Sequence, residues 1–347
     1  MAQTSWAEQV TNRFFDGRKS PSQLQCDEIA QSVSGASTVS PVDSPGSMSY
    51  TVVCDRRPGP QQDLIVSFRE PGAMLDEQMV KLAKKIHGDI VPKSTYHGNV
   101  EGADPPLSIY SMPYLRGSSC IEVLAFQVEM DPDEESKHGV FVKHLARYFA
   151  RCWSSPQPVD RQIQAEQQEG IRKRLARLVE ESPSSVLLNS MLPKLIESLP
   201  SLFSQDYPQV LTHGDFSVTN ILVDENEFGI TGIVDWSLAA VMPFGMDLDI
   251  LFLTTGFMTR DGWHDYACKL LLQDTFWEEF WAVSGIKGEE HRGRIQGLAE
   301  AACKIGAILR LAFRRTADGS PSNEALVSES SVKQLRAWFS EEAAKLS

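Results

Sequence analysis

The chain has 347 residues, 42% of them hydrophobic and 23% charged, and carries a formal net charge of −13. That length supports a large core and two lobes, and the composition is ordinary for a soluble globular protein. The negative balance argues against nucleic acid or an anionic membrane as the main partner; it would suit a cationic substrate, but solubility is the plainer reading. The six cysteines (Cys26, Cys54, Cys120, Cys152, Cys268, Cys303) are scattered without a C-x-x-C pair, the pattern of small buried or half-buried residues in a reducing compartment. The opening MAQTSWAEQV lacks the basic and apolar regions of a signal peptide. No stretch reaches the ~18 apolar residues of a membrane span. A cytoplasmic protein is expected.

Trp6, Val10 and Phe14 repeat at helical spacing, and Ser20-Pro21 opens a second short helix through Leu24, Ile29 and Val33. Strands are predicted over Thr38–Pro41, Ser49–Cys54 and Leu64–Phe68, with a turn at Asp43–Ser47 and Arg69 ending the third. Residues 73–87 read as a helix with Leu75, Met79, Leu82 and Ile86 on one face and the acids Asp76 and Glu77 near its start. A loop and strand lead to Leu107–Leu115, a strand closed by Arg116-Gly117. Residues 118–200 are mainly helical, with a core stripe at Val142, Leu145, Phe149 and Trp153. Within them Asp131–Lys137 reads as a charged surface loop. Residues 160–180 carry a thin apolar seam (Ile163, Ile171, Leu175, Leu178), expected of an exposed helix or a mobile insertion. After a turn at Pro243–Gly245 come a short helix Leu248–Phe252, capped by Asp247, and two helices over 262–285 and 291–315. The first is rich in aromatics; the second ends near Arg310, Arg314 and Arg315. A linker over 317–331 and a last helix Val332–Leu346 complete the chain.

Leu211–Trp236, LTHGDFSVTNILVDENEFGITGIVDW, stands apart. It reads as a strand end, a polar turn, and two short strands, Asn220–Val223 and Ile230–Val234, joined by the turn Asp224–Gly229. Asn220 follows Asp215 by five positions, and Asp235 ends an apolar strand, which is the Asp-x-x-x-x-Asn spacing of a kinase catalytic loop followed by a hairpin and a metal-binding Asp. Phosphoryl transfer needs an anion to orient and deprotonate the attacking hydroxyl, for which Asp215 serves. It also needs hard oxygen ligands for Mg2+, which Asn220 and Asp235 offer. A turn merely capped by Asp215 and Asn220 would leave the apolar strand that delivers Asp235 unexplained.

HGDFSVTN followed by GIVDW resembles the aminoglycoside phosphotransferase and choline kinase family, small-molecule kinases in which His-Gly-Asp stands where protein kinases carry His-Arg-Asp. The order SYTVV, LIVSFR, an early acid on a helix, IVP, YSMPYLRG, HGDFSVTN, GIVDW and PFG extends the likeness over residues 49–245. It is particularly similar to phosphotransferase-domain proteins of filamentous fungi.

The resemblance implies an α+β, bilobal, protein-kinase-like fold with a small N-terminal antiparallel-sheet lobe and a larger, mainly helical C-terminal lobe. The expected divisions are 1–110, a hinge at 111–117, and 118–347. It implies ATP and Mg2+ as cofactors and a small-molecule hydroxyl as acceptor. Gly46, Ser47 and Ser49 would offer small side chains and free N–H groups over the phosphates; without G-x-G-x-x-G, an ordinary hairpin turn reads equally well. Arg69 stands where kinases carry a Lys, and would bind phosphate oxygens, braced by Glu77 or else Asp76. A strand-end surface Arg and a helix N-terminal carboxylate are the plainer alternatives. At the hinge Pro113 has no N–H, so Met112 or Tyr114 must donate to the adenine edge. Asp247 would support the catalytic loop, and His213 would fix it. The aromatics of 262–285 would line the acceptor pocket or pack on a neighbouring helix. Two other functions stay open: a nucleotide-sensing pseudokinase, suggested by the weak phosphate loop and Arg69, and a helical binding protein with a coincidental motif.

Overall fold

The structure, a computed structural model, describes residues 5–56, 62–181, 186–316, 321–325, 328, 331 and 333–339. Helices α1 (Trp6–Phe15) and α2 (Gln23–Ser34) each open on a serine capping box, Ser5 with Glu8 and Ser22 with Gln25, which satisfies N–H groups that the first turn leaves unpaired. Strands β1 (Thr38–Pro41), β2 (Ser49–Asp55) and β3 (Leu64–Arg69) follow. Helix α3 (Glu77–His87), β4 (Thr95–Asn99) and β5 (Ser108–Pro113) complete an antiparallel sheet of order β1-β2-β3-β5-β4.

Side-chain alternation decides what each face of this sheet does. Tyr50, Val52, Cys54, Val66 and Phe68 point to one side, where they form a core with Phe14, Cys26 and Ala30 of α1 and α2. Ser49, Thr51, Val53, Ile65, Ser67 and Arg69 point to the other side and line a cleft. A slip of one residue would bury Arg69 among hydrocarbon, so the parity of β3 alone sets its location.

The larger core gathers the rest of the chain. After β6 (Ser118–Ser119) and the short α4 (Cys120–Val123), helix α5 (Pro132–Trp153) buries Phe141, Val142, Leu145, Phe149 and Cys152. The predicted surface loop at Asp131–Lys137 is the cap and first turns of α5: Asp131 accepts from the Asp133 and Glu134 N–H groups, and Pro132 needs no partner there. Helices α6 (Arg161–Glu181) and α7 (Val186–Leu202) pack on each other. Ile171, Leu175 and Leu178 are fully buried while Ile163 stays exposed, so the thin seam of α6 docks it rather than leaving it free. Strands β7 (Gln209–Thr212), β8 (Ile221–Val223), β9 (Ile230–Ile233) and β10 (Ala240–Pro243) carry the motif region. Here β8 and β9 form the expected hairpin, and β7 pairs with β10.

The C-terminal portion holds α8 (Ile250–Leu253), a hairpin of β11 (Gly256–Met258) and β12 (Trp263–Asp265), then α9 (Lys269–Ser284) and α10 (Glu289–Ala312). The predicted helix from 262 begins only at 269, because Trp263–Asp265 pairs with Gly256–Met258. Phe276, Phe280 and Trp281 of α9 are buried, with Phe276 against Phe149 and Phe280 against Trp153 and Phe244, so this aromatic set is core and not a pocket wall. The predicted helix to 315 ends at Ala312, because β13 (Phe313–Arg315) pairs with β14 (Pro321–Ala325) of the expected linker, whose remaining residues lie largely outside the described ones. The last helix is described over 333–339, with Leu335, Trp338 and Phe339 buried. All six cysteines are free, five of them buried. Among the described residues no helix is long and apolar enough to cross a membrane.

Candidate active site

The turn after β7 is built around Gly214 and His213. Gly214 has φ +76°, and a Cβ there would run into the Leu238 carbonyl oxygen, so the position excludes any side chain. His213 is fully buried and ties three segments together. Its backbone N–H donates to Asp247 Oδ2 at 2.6 Å. Its Nε2 bonds the Val234 carbonyl at 2.8 Å, and its Nδ1 accepts the Asp215 N–H at 3.3 Å. A carbonyl only accepts, so Nε2 carries the proton and the ring is the neutral tautomer. This single ring clips the turn bearing Asp215 to the strand end bearing Asp235. Asp247 stands where the sequence placed it, beneath the loop. Burial raises its pKa, opposed by His213 and Arg310.

Asp215 and Asn220 are adjacent. Asn220 Nδ2 donates to the Asp215 carbonyl at 2.9 Å and to Asp215 Oδ2 at 3.3 Å, which turns the amide oxygen away from the aspartate. Phe216, between them in the chain, is fully buried and stacks on Tyr148 at 4.7 Å. The Val234 N–H donates to the Asn220 carbonyl at 3.0 Å, closing the hairpin next to Asp235. Asp235 itself adopts a left-handed conformation, φ 62° and ψ 59°, which swings its carboxylate out of the strand direction and into the cleft. Burial pushes its pKa up, but the charge and hydrogen bond of Arg69, aided by a hydrogen bond from Ser237, outweigh that and hold the carboxyl below its usual range.

Arg69 is 6% exposed. Its Nη1 donates to Asp235 Oδ1 at 2.7 Å and to the Ala73 carbonyl at 3.1 Å. Its buried Nε has no hydrogen-bond partner. The expected brace from α3 is not formed. Glu77 points to solvent and pairs with Lys81 at 2.7 Å, and Asp76 caps α3 through the Gln78 and Met79 N–H groups. Residues Pro71–Ala73 form a separate 3-10 turn, so the helix starts at 77 and its first carboxylates face away from the cleft. The acid that meets Arg69 is Asp235, 166 positions away.

The cleft has a volume of about 1160 Å3 and runs from the β1–β2 turn, past Arg69 and Met112, to Asn220 and Asp235. Gly46 and Ser49 line it, whereas Ser47 is exposed on the turn and does not. At the predicted hinge the Tyr114 N–H donates to the Asp63 carbonyl at 3.0 Å and the Tyr114 carbonyl accepts from Gln62 Nε2. Tyr114 is therefore not a free donor, and Met112, two residues back and opposite Ile65, takes the next hydrogen-bonded place in the β3–β5 ladder, so neither N–H of the pair faces the cleft unpaired. The sequence reading missed the cleft wall at Ser40–Pro45 and the floor at Ser118, Ser119, Ile121 and Glu122. Alternation along β2 and β3 could have found Thr51 and Ser67; nothing local marks the floor. Among the described residues no group of three or more His, Cys, Asp or Glu gathers as a metal cage.

A model of the phosphotransferase enzyme family matches residues 56–281. Among solved structures, the GDP complex of wild-type aminoglycoside 2'-phosphotransferase-IIIa is 15% identical over 84% of this chain and 91% of that one, with a TM-score of 0.53. A putative aminoglycoside phosphotransferase from Ralstonia eutropha is 14% identical over 92% of this chain and 98% of that one, with a TM-score of 0.52. At such identities the likeness shows the fold, a bilobal kinase-like one. No curated protein sequence matches the chain.

Proposed function

The chain belongs to the phosphotransferase enzyme family and is a small-molecule kinase; from that premise we propose that it transfers the γ-phosphoryl group of ATP to a hydroxyl of a small molecule, with Asp215, Asn220 and Asp235 at the reacting end. The observation that carries this reading is the hairpin that brings Asn220 beside Asp215 and delivers Asp235 into the same cleft as Arg69. Residues 111–117 serve as the hinge between the lobes.

The donor set suits Mg2+. One carboxylate held ionised and one amide oxygen facing away from Asp215 are the hard, sparse protein ligands that this ion takes when phosphates supply the rest. When bound, Mg2+ would neutralise phosphate charge as the transfer proceeds. The orphaned Arg69 Nε fits a phosphate oxygen, since a buried guanidinium N–H without an acceptor is costly to leave unmade. Asp215 orients the acceptor hydroxyl and takes its proton as the oxygen attacks phosphorus. Asn220 keeps that carboxylate in place through its Nδ2. Gly46 and Ser49 close the phosphate side of the cleft. Positioning and charge neutralisation supply most of the rate, as in other phosphoryl transfers.

Family membership speaks for an enzyme over a pseudokinase. The test is Mg2+-dependent ATP turnover against a broad hydroxyl panel. Wild type is expected to turn over, and Asp215→Asn to lose at least about a hundredfold in kcat while binding ATP with unchanged affinity. Full activity in Asp215→Asn would remove Asp215 from the mechanism.

A further inference from the structure

The loop bearing Asp215 is held from two directions by one block of structure. Upstream, Asp247 accepts the His213 N–H. Downstream, the hold comes from α10, which lies beyond the family-matched residues 56–281. Ala299, Ala302, Gly306 and Arg310 recur at steps of three and four and so share one face of α10. That face runs along residues 245–249 with backbones nearly touching. A Cβ on Gly245 would lie 2.6 Å from the Ala299 carbonyl oxygen, and one on Gly306 would collide with the Met246 carbonyl oxygen. One turn beyond Gly306, Arg310 pairs with Asp249, which is 2% exposed, and its Nη1 donates to the Phe216 carbonyl at 3.0 Å.

We propose that Arg310 is a positioning residue for phosphoryl transfer, its guanidinium fixing the peptide plane one residue past Asp215 while Asp249 balances its charge. The inference rests on the assignment of Asp215 to the acceptor hydroxyl. The Phe216 ring is already fixed by Tyr148, and the His213 N–H by Asp247. Arg310 holds the Phe216 carbonyl, and a charged donor on a part-buried carbonyl is among the stronger hydrogen bonds a protein makes. Small displacements of a reacting group cost large factors in rate. The plainer role is a staple that pins α10 and neutralises Asp249, with no bearing on the loop.

Arg310→Met, Arg310→Lys and Gly306→Ala separate the two. The measurements are Mg2+-dependent ATP turnover, ATP affinity by calorimetry, melting temperature, and amide hydrogen exchange over 213–220 against α5. Arg310→Met is expected to lower kcat by about ten- to hundredfold with ATP affinity within about twofold, and to speed exchange in 213–220 but not in α5. Arg310→Lys should recover part of both, and Gly306→Ala, which pushes α10 off the 245–249 segment, should mimic the loss. Unchanged kcat and unchanged exchange over 213–220 overturn the proposal. So does a loss of rate that follows melting temperature alone across the three variants. If Arg310→Met does not fold, Arg310→Lys against wild type carries the same comparison. A wild type that binds but never transfers phosphate defeats the proposed function; exchange over 213–220 still decides whether Arg310 holds the loop.

Discussion

His87, the last residue of α3, gives the sharpest quantitative expectation. It is 4% exposed, lies flat on Tyr148 at 4.1 Å, and its Nδ1 has no hydrogen-bond partner. Tyr148 in turn stacks on Phe216, and His87 also stacks with Trp236 at 6.0 Å, so the imidazole is part of a ring column under the catalytic loop. Burial, followed by the charge of Arg151, lowers its pKa from 6.5 to about 3. Between about pH 6.5 and about pH 3 the folded ring is therefore neutral while the unfolded chain binds a proton. As pH falls below about 6.5 the unfolded state takes that proton first, and stability falls by about 1.4 kcal/mol per pH unit until about pH 3. From pH 6.5 to 4.5, before most carboxylates titrate, that amounts to about 3 kcal/mol. The perturbation is His87→Leu, which keeps an apolar group of similar size and removes the titration. Its stability at pH 8 should drop by about 1 kcal/mol from the lost stacking. Urea unfolding at half-unit steps between pH 8 and 4.5 should then show a flatter curve for the variant than for wild type, with the two converging or crossing near the acid end. Parallel curves would refute the reasoning, because they would mean that His87 binds protons equally in both states.

Other outcomes follow from the same geometry. Glu77→Ala should leave the ATP KM within about twofold, since Glu77 pairs with Lys81 at the surface, whereas Arg69→Met should raise that KM about tenfold or more. Steady-state kinetics on the two variants side by side decides whether α3 braces the cation. Gly214→Ala should lower Tm sharply, by an amount equivalent to about 2–4 kcal/mol, because both the positive φ and the Leu238 carbonyl oppose a Cβ; a Tm within 2 °C of wild type, by calorimetry, would contradict it.

What was legible in the sequence was whatever is encoded locally. The nearness of Asn220 to Asp215, and a hairpin ending at Asp235, could be read because a five-residue spacing and a short hairpin are local patterns, although distant chain then fixes the loop. Strands β1, β2 and β3 could be read from apolar runs and turn residues, and the parity of β3 even fixes the face that Arg69 takes. The partner of Arg69 could not be read, because it depends on how two cores meet across a cleft, which no local pattern records. Glu77 was the natural candidate by position, but Asp76 took the cap, the helix began one residue later, and Glu77 turned outward. The stretch 262–268 failed for a similar reason: its aromatics suit a helix, but pairing with Gly256–Met258 overrode that preference. The charged seam of α6 was misread because three well-placed apolar residues suffice to dock a helix whose remaining surface is polar.

The contact between Arg69 and Asp235 joins a strand of the smaller core to the hairpin end of the larger one. Any cation that claims the same carboxylate competes with the guanidinium for it. Arg69 holds Oδ1 of that carboxylate, so an arriving cation meets a site whose charge is already half spoken for, and raised ionic strength should weaken the guanidinium's hold on it.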